Sequence, residues 1–243
     1  MSVNYVHLPH SPQESATPHP FDLACAQAAR RFHSSIPEYA PTPLVSLPSL
    51  AAKTGVASIH VKDESYRFGL DAFKVLGGSY SIARKLGELL DIPVEDLSYE
   101  LLTSREIHNK TGTLTFVTAT DGNHGRGVAW TASRLGHQSV VYMPKGSAQE
   151  RLENIRRAGA KAQITDLNYD DAVRLANQKA EENGWIMVQD TAWEGYEDIP
   201  RWIMEGYLTL SLEAWEQLNG ITPTHLFLQA GVGAFAGSAA GFF

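Results

Sequence analysis

The sequence predicts an α/β protein built on a parallel sheet with helices on both faces. Between Thr113 and Gln189, short β-branched or apolar runs alternate with longer helical ones, the order that βαβ units produce. Unusual loops, glycine-rich or acidic, follow the strands of this region, and ligands of parallel sheets gather at the strands' carboxyl ends. The chain has 243 residues, 43% hydrophobic and 19% charged, enough for one large or two modest domains with a real core.

The elements are justified in order. Residues 1–20 are polar and hold Pro9, Pro12, Pro18 and Pro20, which suits an irregular arm. Proline geometry extends Pro41–Leu44, Leu47–Lys53 reads as a short helix closed by Gly55, and Ser58–Asp63 alternates as a strand. Asp71 is placed to cap a helix that carries Lys74 and runs to about Leu90, with Pro93 as the stop. A polar passage over 91–112, helical from Ser98, leads into the alternating region. There Thr113–Thr118 is a strand, Gly125–Leu135 a helix ended by Gly136, and Ser139–Met143 a strand. Ser147-Ala-Gln-Glu150 reads as a capping box opening a helix that Gly159 closes. Ala162–Thr165 is a strand, Asn168 caps a helix to Glu182, and Trp185–Gln189 is the fourth strand. Pro200 opens a helix with an apolar stripe at Ile203, Tyr207, Leu210 and Ala214, read as core. His225–Gln229 is expected as a last strand before a helix from Ala234.

The totals exclude several functions. Net charge is −7, from 27 acidic and 20 basic side chains, with no Lys/Arg-dense run; nucleic acid and anionic membrane are excluded as partners, and local features must hold any anion. Cys25 is the single cysteine, which excludes an intramolecular disulfide and a thiolate zinc cluster; no metal site is expected. It reads as a small buried residue without a basic partner. No signal-peptide pattern and no membrane-spanning apolar run occurs, so a cytoplasmic location is expected.

Four features carry chemistry. Lys74 follows Phe73 in a first helical turn, where exposed N–H dipoles disfavour an ammonium and so favour the free amine that imine formation needs. Taken alone it reads as a solvated lysine on a helix face, and the rest of the chain overturns that reading. Thr118-Ala-Thr-Asp-Gly-Asn-His-Gly-Arg-Gly127 links a strand to a helix and can present N–H groups to an anion, with Asn123 free to donate to a ring oxygen; a glycine-rich turn with capping Asp and Asn fits as well. Asp190 ends a strand beside Trp193 and Tyr196, where desolvation would raise its pKa toward acid/base use; an N-cap or ion-pair role competes. Gly231-Val-Gly-Ala234 can cradle a phosphate with backbone N–H groups, yet Gly231-x-Gly233-x-x-Ala236 also matches a dinucleotide fingerprint.

Phe73-Lys74, Asp121-Gly-Asn-His-Gly125 and Gly231-Val-Gly-Ala234 together resemble the signature segments of fold-type II (tryptophan synthase β-like) pyridoxal phosphate enzymes. Within these, Ala72–Tyr80, Thr118–Gly127, Gln189–Tyr196 and Ile199–Tyr207 resemble the diaminopropionate ammonia-lyase family. Serine and threonine dehydratases of this fold usually carry serine where Asp121 stands. The resemblance implies an α/β fold of two parallel-sheet, three-layer domains: a cofactor domain over 1–90 and 197–243, and a small βαβ domain over 91–196. It implies a lyase acting on a small amino acid, 2,3-diaminopropionate, giving pyruvate and ammonia by α,β-elimination. Lys74 would bind pyridoxal 5'-phosphate as an imine and take the α-proton of the L-isomer; Asp121 would serve the D-isomer and Asp190 the leaving amine. Asn123 would bond the cofactor's ring hydroxyl, Gly231, Val232, Gly233 and Ala234 its phosphate, and Thr120, Gly122 and His124 the substrate carboxylate. The full-length protein is expected to be a homodimer. Members of the family continue beyond the position of Phe243, so the cofactor domain is expected to be incomplete, the group facing the pyridine nitrogen to lie outside the sequence, and this chain alone to be poorly stable and close to inactive. A dehydratase, a nicotinamide-dependent dehydrogenase and an inactive fragment are the competing readings; the dehydrogenase needs an acidic residue about 20 positions after its glycines.

Overall fold

The computed structural model describes residues 21–243, so the expected N-terminal arm lies outside the described residues. A four-stranded parallel sheet has the order β5-β4-β3-β6. Its strands are β3 (Thr115–Ala119), β4 (Gln138–Met143), β5 (Lys161–Ile164) and β6 (Ile186–Met187). The helices between them are α6 (Asn123–Arg134), α7 (Gln149–Arg157) and α8 (Tyr169–Asn183). The pleat sorts the side chains. Val141 and Met143 face one layer with Ala129, Leu152 and Ile155 of α6 and α7, while Val117 and Tyr142 face Ala172, Ala176 and Ala180 of α8. This is the expected three-layer α/β arrangement.

The other described residues are mostly helical. α1 (Leu23–Ser34) is capped by the Asp22 carboxylate, which accepts from the Cys25 N–H at 2.8 Å. Then come β1 (Leu44–Ser46), α2 (Pro48–Thr54), β2 (His60–Lys62), a 3-10 turn over Glu64–Gly69 and α3 (Lys74–Leu90). The short helices α4 (Tyr99–Leu102) and α5 (Arg105–Thr111) lead to the sheet, and α9 (Asp198–Gln217) and α10 (Ala234–Phe242) follow it. α3 is the hub, packed between α6 and α9, and glycines set both crossings. A Cβ on Gly127 would lie 2.8 Å from Val75 Cα, and one on Gly206 would lie 2.5 Å from the Leu76 carbonyl. Close backbone approach therefore sets the first turn of α3 against the second turn of α6.

Several sequence expectations need correction. Asp71 does not cap α3: it turns the chain in the left-handed region (φ 52°), Phe73 holds the cap position, and no side chain caps the helix. An N-cap must immediately precede the first helical residue, and Asp71 comes too early. The capping box at Ser147 fails similarly, since α7 starts at Gln149 behind Ala148 and the Ser147 hydroxyl is buried without a partner. The strand expected over His225–Gln229 does not form among the described residues; nothing pairs with it, and Phe227 is 94% exposed. No second parallel sheet is present among the described residues either, because β1 and β2 form an antiparallel pair. Cys25 is half-buried, and burial pushes its thiol up to about 12, which keeps it an unreactive thiol.

Candidate active site

The site forms where α3 begins. Lys74 is the first residue of α3, and its Nζ lies 2.6 Å from Asp190 Oδ2. The ammonium faces the rings of Phe73 and Tyr207, 5.9 and 5.7 Å from their centroids, and the side chain stays 24% exposed. It is thus held in place yet reachable from solvent. Phe73 stacks on Phe235 at 4.5 Å and meets Tyr207 edge-on at 5.2 Å, which brings α10, α9 and α3 to one point.

Asp190 follows β6 and is 6% exposed. Its neighbour Gln189, fully buried, fixes it. Gln189 Oε1 accepts from Thr118 Oγ1 (2.9 Å) and Ala119 N (3.1 Å), and Gln189 Nε2 donates to the Tyr169 hydroxyl (3.0 Å). The Tyr196 hydroxyl donates to the Met187 carbonyl (3.0 Å) and accepts from Gln189 N (2.8 Å). The raised pKa expected for Asp190 is not found. Burial does push its carboxyl up, but the neighbouring His124 imidazole and the Lys74 ammonium, which also donates to it, outweigh burial and hold it below the usual range. Asp190 is an ionised partner of Lys74, not a poised acid.

The anion loop has the expected backbone. The first intrahelical bond of α6 runs from Arg126 N to Gly122 O, so the N–H groups of Asn123, His124 and Gly125 precede it at the helix start. Thr120 Oγ1 accepts from Gly122 N at 3.0 Å. Gly125 is required here, since a Cβ would lie 2.3 Å from Thr120 Cγ2. The side chains divide. Asn123 is exposed, and Asp121 pairs with Arg151 of α7 at 3.1 Å rather than with Lys74. The His124 ring turns inward: Nε2 bonds the Val188 carbonyl (2.8 Å), Nδ1 is buried 4.0 Å from Asp190 Oδ2, and the residue is 4% exposed. Its side chain is therefore closed to a substrate carboxylate; only its backbone N–H remains for that role.

Gly231, Val232 and Gly233 are exposed, and a Cβ on either glycine meets nothing within 4 Å. Gly233 turns in the left-handed region (φ 94°) to cap α10, whose first bond runs from Gly237 N to Gly233 O. The N–H groups of residues 234–236 are left at the helix start, beside Phe73. The structure thus brings Lys74, Asp190 and His124 together, joins the start of α10 to them only through Phe235 on Phe73, and turns Asp121 and Asn123 outward. Sequence reasoning missed Arg151 and the part played by Tyr207, which helical periodicity marks only as buried.

An amine and two helix N-termini fit an aldehyde cofactor that bears a phosphate. Comparison with known proteins agrees. The pyridoxal-phosphate dependent enzyme family matches residues 36–243. A diaminopropionate ammonia-lyase from Salmonella typhimurium is 59% identical over 215 residues, covering 87% of this chain and 53% of that protein. Among solved structures, the holo diaminopropionate ammonia lyase of Escherichia coli superposes with a TM-score of 0.89 at 54% identity, covering 94% of this chain and 58% of that one. The same enzyme in complex with an aminoacrylate-PLP azomethine reaction intermediate gives 0.86 at 54% identity, with 94% and 57% covered. The chain spans about half the length of the curated relatives it matches. The dinucleotide reading of the Gly231 loop falls, because no strand precedes those glycines among the described residues and the family match is to pyridoxal phosphate enzymes. Matched over residues 36–243, the chain belongs to the pyridoxal-phosphate dependent enzyme family.

Proposed function

We propose that the protein of which these residues form the site is a lyase that eliminates ammonia from 2,3-diaminopropionate, leaving pyruvate and a second ammonia after hydrolysis. The observation that carries this is the 2.6 Å Lys74–Asp190 pair set between two helix N-termini, in a chain 59% identical over 215 residues to a diaminopropionate ammonia-lyase.

Bound pyridoxal phosphate would supply an electron sink that acidifies the Cα–H of an amino acid. Lys74 would hold it at Nζ, Asn123 its ring hydroxyl, and the N–H groups around Gly231, Val232, Gly233 and Ala234 its phosphate. The substrate carboxylate fits the start of α6, where the Thr120 hydroxyl and the backbone N–H groups of Gly122 and His124 converge. Lys74, once neutral, takes the α-proton of the L-isomer, and Asp121 takes that of the D-isomer from the opposite face. Ionised Asp190 keeps the departing β-amine protonated and oriented, because a carboxylate held below its usual pKa favours an ammonium beside it. Phe73, Tyr207 and Phe235 pack together beside the Lys74 amine. The same reading assigns 91–196 to a small domain, 1–90 and 197–243 to the cofactor domain, a homodimer to the assembly and the cytoplasm to the location. No helix among the described residues is long and apolar enough to cross a membrane.

Stoichiometry tests the reaction. The full-length protein, loaded with pyridoxal phosphate, is expected to release two ammonia per pyruvate from 2,3-diaminopropionate and to prefer it over serine. Serine preferred over 2,3-diaminopropionate, with one ammonia released per pyruvate from serine, would return the dehydratase reading.

A further inference from the structure

His124 has an arrangement that the elimination reading does not use. Val188 O can only accept a hydrogen bond, so the 2.8 Å contact places a proton on His124 Nε2. The other nitrogen, Nδ1, is then a bare lone pair. It is buried, has no hydrogen-bond partner among the described residues, and faces Asp190 Oδ2 at 4.0 Å. A lone pair aimed at an ionised carboxylate gains nothing, and an unused buried acceptor has a cost. The arrangement makes sense when Nδ1 receives a proton.

The source of that proton lies on the far side of Asp190. Lys74 Nζ donates to the same Oδ2 at 2.6 Å. While Lys74 is an ammonium, the Lys74–Asp190 pair is neutral and His124 is uncharged. When Lys74 becomes a free amine, Asp190 would remain a buried anion with no counter-charge, which is unfavourable.

We propose that His124 is a positioning residue that acts through Asp190: it accepts at Nδ1 the proton that Lys74 Nζ gives up, so that Lys74 becomes a neutral nucleophile while the buried site keeps its net charge. The balance closes on the chain's own atoms. An Nζ–H bond breaks as an Oδ2–H bond forms; that O–H bond then breaks as the Nδ1–H bond forms. The result is a neutral amine, a carboxylate and an imidazolium. The 4.0 Å gap closes by a turn of the carboxylate once Nζ no longer holds it.

Burial keeps His124 neutral at rest, the Asp190 carboxylate opposes that, and the Lys74 ammonium adds to it. Discharging Lys74 removes one of the influences that keep His124 uncharged. The other titratable groups facing the cluster are Tyr169 of α8, Tyr196 after β6 and Tyr207 of α9, all pushed above the usual phenol range by burial and hence neutral throughout.

The proposal rests on the reading of Lys74 as the reactive amine, but its test needs neither cofactor nor substrate turnover, so its failure is distinct from failure of the elimination. The pH dependence of Lys74 acylation by a small active ester is measured by mass spectrometry on the 243-residue chain. His124→Gln retains a donor for Val188 O and loses the acceptor at Nδ1. It is expected to move the Lys74 midpoint up by about one pH unit, a tenfold loss of labelling below the midpoint. In an Asp190→Asn background the same change is expected to add nothing. A folded His124→Gln protein with an unmoved midpoint, or an equal shift in the Asp190→Asn background, overturns the proposal. A second measurement covers misfolding of the variant. In ¹⁵N-histidine spectra, Lys74→Met is expected to raise the pH at which His124 Nδ1 is protonated, and an unchanged titration overturns the relay.

Discussion

At Lys74 an ammonium and a carboxylate meet at 2.6 Å with little water around them, so the reactivity of this one amine is governed by its partner. Reduction with borohydride in the presence of pyridoxal phosphate is expected to label Lys74, and Lys74→Met to remove that label; a modified peptide containing another lysine would refute the assignment. Asp121 is a different case. Its pair with Arg151 is solvent-exposed on both sides and should contribute little to stability, at most about 1 kcal/mol. Its loss is therefore expected to appear in chemistry alone. In the full-length enzyme Asp121→Asn should slow D-isomer turnover by about 10²- to 10⁴-fold, the usual worth of a general base, and leave the L-isomer far less affected. Equal losses for both isomers would reduce Asp121 to a loop residue. Lys74, Asp190 and the glycine loops were legible in the sequence because each breaks a local rule: a lysine at a helix start, an acid at a strand end, glycines before a helix. Arg151 was not, because an arginine on a polar helix face breaks none, and only the fold carries it over Gly122. Nor could sequence show that the His124 side chain turns away from the loop that displays its backbone.

Among the elements, the alternation of strands and helices over 113–189 was readable because period and glycine stops agree with local propensity. The helix starts at Lys74 and Gln149 were not. Asp71 and Ser147 are sound capping residues placed one or two positions early, and the turns before them decide where the first helical residue falls. His225–Gln229 has strand-like composition, but a strand exists only through its partners. Helix α1 carried no recognised signal, yet it packs on α9 through Ala26, Leu208 and Leu212. The helix crossings set the site's geometry, and they can be tested at Gly127. Alanine there gains helix propensity worth up to about 1 kcal/mol but drives a methyl into the α3 backbone at Val75 and Lys74. The net effect is expected to be a loss of about 1–3 kcal/mol in urea unfolding, as for other overpacked cores. Because the strain falls on the first turn of α3, borohydride labelling of Lys74 should drop as well. A stabilised protein with normal labelling would mean that α3 and α6 slide freely.

Across the whole molecule, two buried titratable centres hold the segments around α9, and they respond to acid in different windows. His33 of α1 is fully buried; Nε2 bonds the Leu76 carbonyl at 3.0 Å and Nδ1 pairs with Thr209 Oγ1 at 2.7 Å, which joins α1, α3 and α9. Burial first, then the Arg67 charge, lowers its pKa to about 3. A depressed histidine binds its proton more readily in the unfolded chain. Stability is therefore lost as pH falls below the unfolded value of about 6.5, by about 1.4 kcal/mol for each unit, until the folded value is reached. Glu213 lies one turn further along α9 and accepts from both terminal nitrogens of Arg67 at 2.7 and 2.9 Å, from Tyr39 at 2.9 Å and from Thr42 N at 3.1 Å, with Lys62 Nζ at 2.7 Å. Burial pushes the Glu213 carboxyl up, but its bonds and charges to Arg67 and Lys62 prevail and lower it to about 2. Its contribution is present above the unfolded glutamate value near 4.3 and fades as pH falls toward 2. Urea unfolding across pH should accordingly show one decline beginning near 6.5 and a second, steeper one below about 4.5. His33→Gln is expected to flatten the upper decline and leave the lower intact. Glu213→Gln should destabilise at neutral pH, because Arg67, 1% exposed, keeps only Glu64 of its two carboxylates and Lys62 loses its partner, and should flatten the lower decline instead. A wild-type curve level between pH 7 and 5 would show that His33 does not hold α1, α3 and α9 together as a neutral ring.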